Sequence, residues 1–311
     1  MSAFSRPEFH SEEAAFAHLE KIVWAGEPVC PHCGALDRIT SVKANPSKRI
    51  RIGLHRCGHC KGQFTVKVGT VFEHARLPLH KMLQAVYLVT SSKKGVSAHQ
   101  LHRTLEITYK SAWFLLHRIR EAMRSGDLAP MGGEGVIVEA DETFIGNIKG
   151  AHRGRSFFHK MKVLALIDRG TGQARTMVIN NVSRSEIMPI VTGNIAREST
   201  LMTDESRIYS KARYHFDGHS TVHHGAGEYV NASNDAIHSN TVEGYFSIFK
   251  RGMKGIYQHC GEQHLHRYLA EFEFRYNNRA ALGCNDTDRS VAALSGIVGK
   301  RLTYGGPHKV A

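Results

Sequence analysis

Four of the six cysteines stand in two short pairs, Cys30-Pro-His-Cys33 and Cys57-Gly-His-Cys60. A CxxC turn presents two thiolates to one ion, and two such turns close a tetrahedral shell around zinc. A closed shell leaves no position for water, so Cys30, Cys33, Cys57 and Cys60 predict a structural Zn²⁺ site. In so short a unit the metal would supply most of the folding free energy. Redox-active CxxC pairs are the alternative reading. Cys260 and Cys284 have no partner of this kind and read as ordinary thiols.

The second set of chemistry-bearing residues is acidic. Asp141 lies in or at the end of the apolar run VIVEADETF, with Glu139 on the same strand face by the period of two. Asp204 ends a second apolar run, TLMTDES. Either acid alone would serve equally well in a turn or a cap. A third, Glu243, lies in HSNTVEGYFSIFKRGMKGI, residues 238–256, which carries two helical stripes. Val242, Phe246, Phe249 and Met253 form an apolar one, and Asn240, Glu243, Ser247, Lys250 and Lys254 a polar one. Such a polar stripe is ordinarily a solvated face. Two strand-end aspartates and a helix-borne glutamate, however, supply the converging oxygen ligands that a divalent metal needs to activate water against a phosphodiester. Lys250, two turns beyond Glu243, would face a phosphate near the reacting bond.

The elements that must hold these residues follow from pattern and punctuation. The 311 residues are enough for two domains or more. With 41 Lys and Arg against 28 acids, the formal charge of +13 favours a polyanionic partner, nucleic acid before membrane. Acids interrupt the opening MSAFSRPEFHSEEAAFAHLEK, and runs such as VLALI at 163–167 are too short for a bilayer, so a cytoplasmic protein without membrane association is expected. Residues 11–24 predict an amphipathic helix capped by Ser11. Residues 27–75 predict a zinc ribbon, with the basic stretch KANPSKRIRIGLHR between its knuckles.

From Leu79 to Arg124 three helices are expected, broken near Lys94-Gly95 and Ile107-Thr108, in the grammar of a helix-turn-helix. Its last helix would turn Thr108, Tyr109, Lys110 and Ser111 toward base edges and pack Trp113, Leu116 and Ile119 inward. SGDLAPMGGE, residues 125–134, reads as linker. Beyond it come three strand candidates, a short helix opened by Ser183 or Ser185, a strand ending at Asp204, a further strand near 215–224, the striped helix, and a long helix around QHLHRYLAEFEFRYNNR. His152, His159, His223 and His224 match no zinc-hydrolase spacing; His238, just before the striped helix, is the histidine most worth testing.

These residues resemble a known family. CPHCG and RCGHCKGQFTVKVGTVFE, then VEADETFIG, LMTDES and HSNTVEGYFSIFKRGMKGIYQHCGEQHLHRYLAEFEFRYNNR, are similar to bacterial insertion-sequence transposases of the ISXO type. Those proteins join a Cys₄ zinc ribbon to a DDE integrase-like domain and are prokaryotic relatives of the Merlin transposons. The similarity runs from about residue 15 to residue 280. It implies a multidomain chain: an N-terminal helix (1–26), zinc ribbon (27–75), helix-turn-helix-like domain (76–126), linker (127–134), α/β RNase H-like catalytic domain (135–296) and tail (297–311). It further implies DNA cleavage and strand transfer with two Mg²⁺ or Mn²⁺ ions, held by Asp141 and Asp204 as the first two acids. The third position falls on Glu243 or on Asn240, one turn away. Relatives carry an acid or an asparagine there, and the charge of a carboxylate favours Glu243.

Expected partners are double-stranded DNA, both terminal inverted repeats and target, and further copies of the chain in a dimer or larger synaptic complex. Lys110, Lys149, Arg153, Arg155, Lys250, Arg251 and Lys254 are the expected DNA contacts, with Lys160 and Lys162 as further phosphate ligands. A DNA-binding regulator without catalysis, and a related nuclease that cuts without joining, are the rival functions.

Overall fold

A computed structural model describes residues 2–126, 129–151, 157–222, 230–231 and 234–303. The chain divides into two units, Met1–Arg124 with Cys284–Ala311, and Ser125–Gly283.

In the first unit, helix α1 (Glu12–Trp24) opens where the Ser11 hydroxyl accepts the Ala14 N–H. A three-stranded antiparallel sheet follows, β1 (Ile39–Val42), β2 (Leu54–Cys57) and β3 (Gln63–Phe64), in that spatial order. Phe64 is buried beneath the knuckle cysteines, with Trp24 packed against the same cluster. Helices α2 (Leu79–Ser91), α3 (Ala98–Leu105) and α4 (Tyr109–Ala122) come next. The first amides of α2, those of Leu79 and His80, donate to the Glu12 carboxylate at 2.8 and 3.2 Å, placing an anion at the positive end of the helix. Ser97 caps α3 and Thr108 caps α4, and Glu106 between them is left-handed at φ 52°.

The first unit is completed from far along the sequence. The region expected to end the α/β domain, up to residue 296, instead forms a helix, Asp286–Ser295, that packs on α1, α2 and α4. It is α8 in chain order. The Arg289 guanidinium donates to the Thr90 carbonyl at 3.0 Å, and the Cβ of any residue other than glycine at 296 would lie 2.4 Å from the Ala122 carbonyl oxygen. The start of the expected tail is built in as well: Val71 N–H donates to the Ile297 carbonyl, and Lys300 donates to the carbonyls of Ala122 and Arg124. Buried Ala293, Leu294 and Ile297 explain this placement, since their apolar surface is covered here.

The second unit is a five-stranded mixed sheet. Its strands are β4 (Ile137–Ile145), β5 (Met161–Asp168), β6 (Ala174–Ile179), β7 (Thr200–Asp204) and β8 (Gly218–Val222), in spatial order β6-β5-β4-β7-β8. β4 pairs antiparallel with β5 on one side and parallel with β7 on the other. Helix α5 (Arg184–Asn194) crosses between β6 and β7. A two-stranded ribbon, β9 (Val230–Asn231) and β10 (Asn234–His238), leads into α6 (Asn240–Gly252). A π-helical turn, Met253–Tyr257, separates α6 from α7 (Leu265–Asn277).

Every residue of β5 is buried, because the sheet is covered on both faces. Val163, Ala165 and Ile167 face α6 and α7, while Leu164 and Leu166 face α5. Part of the expected linker 127–134 belongs to this unit. Met131 exchanges backbone hydrogen bonds with Asn194 and Ala196, and the Gly132 and Gly133 amides donate to Asp168 and Ser199. No helix among the described residues is long and apolar enough to cross a membrane.

Candidate active site and zinc centre

The four knuckle sulfurs lie within 4.8 Å of one another. The closest approaches cross between the knuckles, Cys30 to Cys60 at 3.6 Å and Cys33 to Cys57 at 3.7 Å. Tetrahedral bonds of about 2.3 Å place sulfurs roughly 3.8 Å apart, so the thiols fit a zinc ion. Backbone N–H groups of Cys60 and His59 point at the Cys57 sulfur and lower its pKa against burial, whereas Cys33, despite the Ala35 amide, is raised by burial and by the three neighbouring thiols. Two glycines make the turns possible. A Cβ at Gly58 would sit 2.9 Å from the Arg38 carbonyl oxygen, and one at Gly62 would press on His32 and the Cys60 sulfur. His59 is held outside the shell by Asp37 at 2.8 Å.

The acidic site is built from three elements. In the parallel pairing of β4 with β7, Glu139 stands opposite Met202. Continuing that register by two residues brings Asp141 level with Asp204 on one face, the face that meets α6. The strand order also reverses at β4, with β5 and β6 on one side and β7 and β8 on the other, the kind of switch point at which strand ends leave room for a ligand. The Asp141 Oδ1 accepts the Glu142 N–H at 2.7 Å, and the Asp204 Oδ1 accepts the Ser206 N–H at 3.1 Å.

Helix α6 supplies the third acid. Val242, Phe246, Phe249 and Met253 are all buried against the sheet and α7, as their spacing predicts. Asn240 is exposed, whereas Glu243 and Lys250 are half-buried and Ser247 and Lys254 exposed. The Ser239 hydroxyl donates to Glu243 Oε1 at 3.4 Å, and the Lys250 ammonium stands 5.9 Å from the Phe246 ring centre. Among the described residues, the cysteines form the group of three or more metal-binding side chains close enough to share one ion. Asp141, Asp204 and Glu243 are not drawn together to that degree.

Two features around the acids escape sequence reasoning. The first is a buried clamp beneath α6. Glu139, fully buried, accepts the Val242 N–H at 2.8 Å and the Arg169 Nε–H at 2.6 Å. Arg169 also reaches the His238 carbonyl at 2.6 Å and the His238 Nδ1 at 2.8 Å. Burial, and then the Arg169 charge, lower the His238 pKa against the opposing pull of Glu139. A carboxylate at the first turn of α6 favours the helix dipole, so this network ties the glutamate-bearing helix to the aspartate-bearing strand. The period of two places Glu139 on the right face, but nothing local points to Arg169.

The second feature is Glu142, which projects to the other face of β4 and accepts a hydrogen bond from the buried Tyr209 hydroxyl. Burial first, opposed by the Tyr209 hydrogen bond and reinforced by the charges of Asp141 and Asp204, pushes Glu142 up to about 7. The Tyr209 hydroxyl is raised well above its ordinary value by burial and then by the Glu142 charge.

Of the expected DNA contacts, Lys110 is exposed in the first turn of α4, Lys149 is exposed beyond the end of β4, and Arg251 and Lys254 are exposed at the end of α6 and just beyond it. Arg153 and Arg155 lie outside the described residues, as do His152, His223 and His224. Lys160 is half-buried. Lys162 does not lie on a solvated surface: it is only 7% exposed, because the alternation of β5 turns it to the α5 face with Leu164 and Leu166.

Comparison with known proteins identifies the family of the chain. Residues 132–277 match the ISXO2-like transposase domain, and residues 10–63 match the transposase zinc-ribbon domain. An uncharacterized protein in transposable element ISH50 of Halobacterium salinarum is 30% identical over 285 residues, covering 86% of this chain and 91% of that one. Among solved structures, a chain of the simian T-cell lymphotropic virus intasome in complex with PP2A regulatory subunit B56 gamma aligns at 15% identity with a TM-score of 0.29. That alignment covers 56% of this chain and 67% of that one. The chain belongs to the insertion-sequence transposases that join an N-terminal zinc ribbon to an ISXO2-like DDE transposase domain.

Proposed function

We propose that this chain catalyses metal-dependent cleavage of DNA at the ends of its element and joins the freed 3′-OH ends to target DNA. The observation that carries this reading is the common face of Asp141 and Asp204 on adjacent parallel strands, with α6 clamped against it through Glu139. The order β6-β5-β4-β7-β8, a three-stranded antiparallel meander beside two parallel strands, supports an RNase H-like catalytic core. Asp141, Asp204 and Glu243 would hold two Mg²⁺ or Mn²⁺ ions, with Asn240 as the substitute for the third acid. Bound there, the ions would lower the pKa of water or the 3′-OH and stabilise the leaving oxygen. The protein's own contribution is positioning. The Glu139–Arg169–His238 network fixes the first turn of α6, and Lys250 two turns on would face a backbone phosphate.

The zinc ribbon and the helix pair α3–α4 would read the terminal inverted repeats. Their three-residue turn, residues 106–108 with Glu106 left-handed, supports a helix-turn-helix reading in which the start of α4 enters the major groove. Tyr109 there is 45% exposed, and Lys110 beside it is exposed as well. Thr108 is less available for base contacts, since its hydroxyl accepts the Ser111 N–H and donates to the Ser111 hydroxyl. Two ends must be cut together, which favours a dimer or larger synaptic assembly in the cytoplasm.

The test uses purified protein, Mg²⁺ and DNA carrying the sequences that flank its gene, with mapping of 3′-OH ends and joined products. Discrete cuts at repeat ends with joining, both abolished by Asp141→Asn, are expected. Specific binding without cutting would replace this reading with a non-catalytic regulator, and cutting without joining with a nuclease.

A further inference from the structure

A cavity of about 420 Å³ opens on the α5 side of the sheet, lined by Phe144, Phe157, Phe158, Lys162, Asn181 and Ser183 among others. Its volume falls within the range of roughly 300–1,000 Å³ usual for ligand sites. Phe144 follows Glu142 by two residues on the same strand face, about 7 Å along β4. Phe144 and Phe157 are stacked, with ring centres 4.7 Å apart and planes at 21°. Phe157 and Phe158 are nonetheless 60% and 77% exposed, leaving flat apolar surface in water beside the cavity.

Lys162 supplies a second, independent observation. It is 7% exposed, and no described residue hydrogen-bonds or ion-pairs with its ammonium group. Its side chain lines the cavity, so its ammonium is a cation there that an anion could engage. Of the carboxylates closest in sequence to this wall, Glu142 accepts the Tyr209 hydroxyl, and Glu186 accepts the backbone amides of Asn180 and Asn181 at 2.6 and 2.8 Å. Asn181 and Ser183 add an amide and a hydroxyl suited to a base edge.

An apolar ligand would leave the ammonium unanswered, and a lone anion would leave the phenylalanines uncovered. A paired duplex keeps its base faces stacked inside. We infer that the cavity takes one unpaired nucleotide of the DNA substrate, its base stacked on Phe157 and Phe158 and its phosphate at Lys162. The inference rests on the reading of the chain as a DNA-processing protein, and it adds a site for a nucleotide drawn out of the duplex, on the sheet face opposite the aspartates.

The experiment measures binding by the full-length Asp141→Asn protein, so no cleavage is needed. The probes are a duplex with a short single-stranded tail carrying 2-aminopurine and the same duplex with blunt ends. The tailed duplex should bind more tightly, with a change in 2-aminopurine fluorescence on binding. Phe157→Ala with Phe158→Ala should weaken tailed binding about 5-fold or more, as expected for loss of one base–aromatic stack, and leave blunt binding unchanged. Lys162→Met should weaken tailed binding independently. Both phenylalanines are exposed, so their removal should leave thermal melting unchanged. Equal affinity for the two probes, or tailed binding untouched in both variants, would overturn the inference. So would variants that change only the sedimentation of the protein, which would assign the phenylalanines to a protein contact. Failure of the unsubstituted enzyme to cut, with tail preference intact, would instead overturn the catalytic proposal and leave the nucleotide site standing.

Discussion

The two candidate metal centres are assembled in opposite ways. The thiol site is local: each knuckle is a four-residue turn, and four sulfurs already stand within 4.8 Å of one another. The carboxylate site is distributed over two strands and a helix separated by 63 and 39 positions in sequence, from Asp141 to Asp204 to Glu243. Its acids stand apart. Neutral thiols tolerate close approach, whereas ionised carboxylates repel each other until a cation is shared. One site is thus closed around its ion and sustains a fold. On the proposed reading, the other would take up its ions between acids that stand apart, with room for substrate.

That contrast is broken most forcefully at the ribbon. Chelation, or Cys57→Ser, should release one zinc per chain and unfold residues 27–75, a loss of about 10 kcal/mol of metal-linked folding energy. The α/β unit should keep its own melting transition; calorimetry with a zinc indicator checks both. Asp141→Asn or Asp204→Asn should have the reverse signature. Cleavage should fall about 10³-fold or more while melting without metal is unchanged or slightly raised, because one repelling charge has gone.

Smaller effects should separate the acids from their support. Glu139→Gln leaves the Arg169 guanidinium without its buried counter-charge, and should cost the α/β unit about 3 kcal/mol by denaturant titration. Activity should fall well before the unit melts, because α6 loses its anchor. Glu142 gives a pH test in metal-free protein. Its folded pKa of about 7 lies above the ordinary 4.5, so the fold prefers the protonated acid. The resulting stabilisation is complete below about 4.5 and is lost as pH rises through about 7. Wild type should lose at most about 3 kcal/mol across that window, and Glu142→Gln should show a flatter profile.

Much of this architecture is legible in the sequence because it is periodic. The apolar stripe of α6 is buried as its spacing predicts, Ser11 caps its helix, and the acids at 141 and 204 lie in apolar runs that are strands, whereas Thr108, expected to face base edges, caps α4 instead. What is not legible is pairing at long range. Glu139 meets Arg169 30 residues away and the Val242 amide 103 away, and local pattern does not choose among the arginines. Lys162 reads as a solvated basic residue until the sheet is known to be covered on both faces. The helix 286–295 is amphipathic, and its stripe fits any apolar surface; only the packed structure shows that it closes on α2.

That return of the chain has an evolutionary consequence. Since Met1–Arg124 and Cys284–Ala311 form one body, the α/β unit is an insertion with two covalent joints. A single genetic crossover between relatives would give a hybrid whose α8 comes from one parent and whose α2 comes from the other. Exchanging the first unit intact therefore requires two breakpoints, near 125 and near 284. Inheritance of recognition and chemistry as one block is the simpler path for such an element.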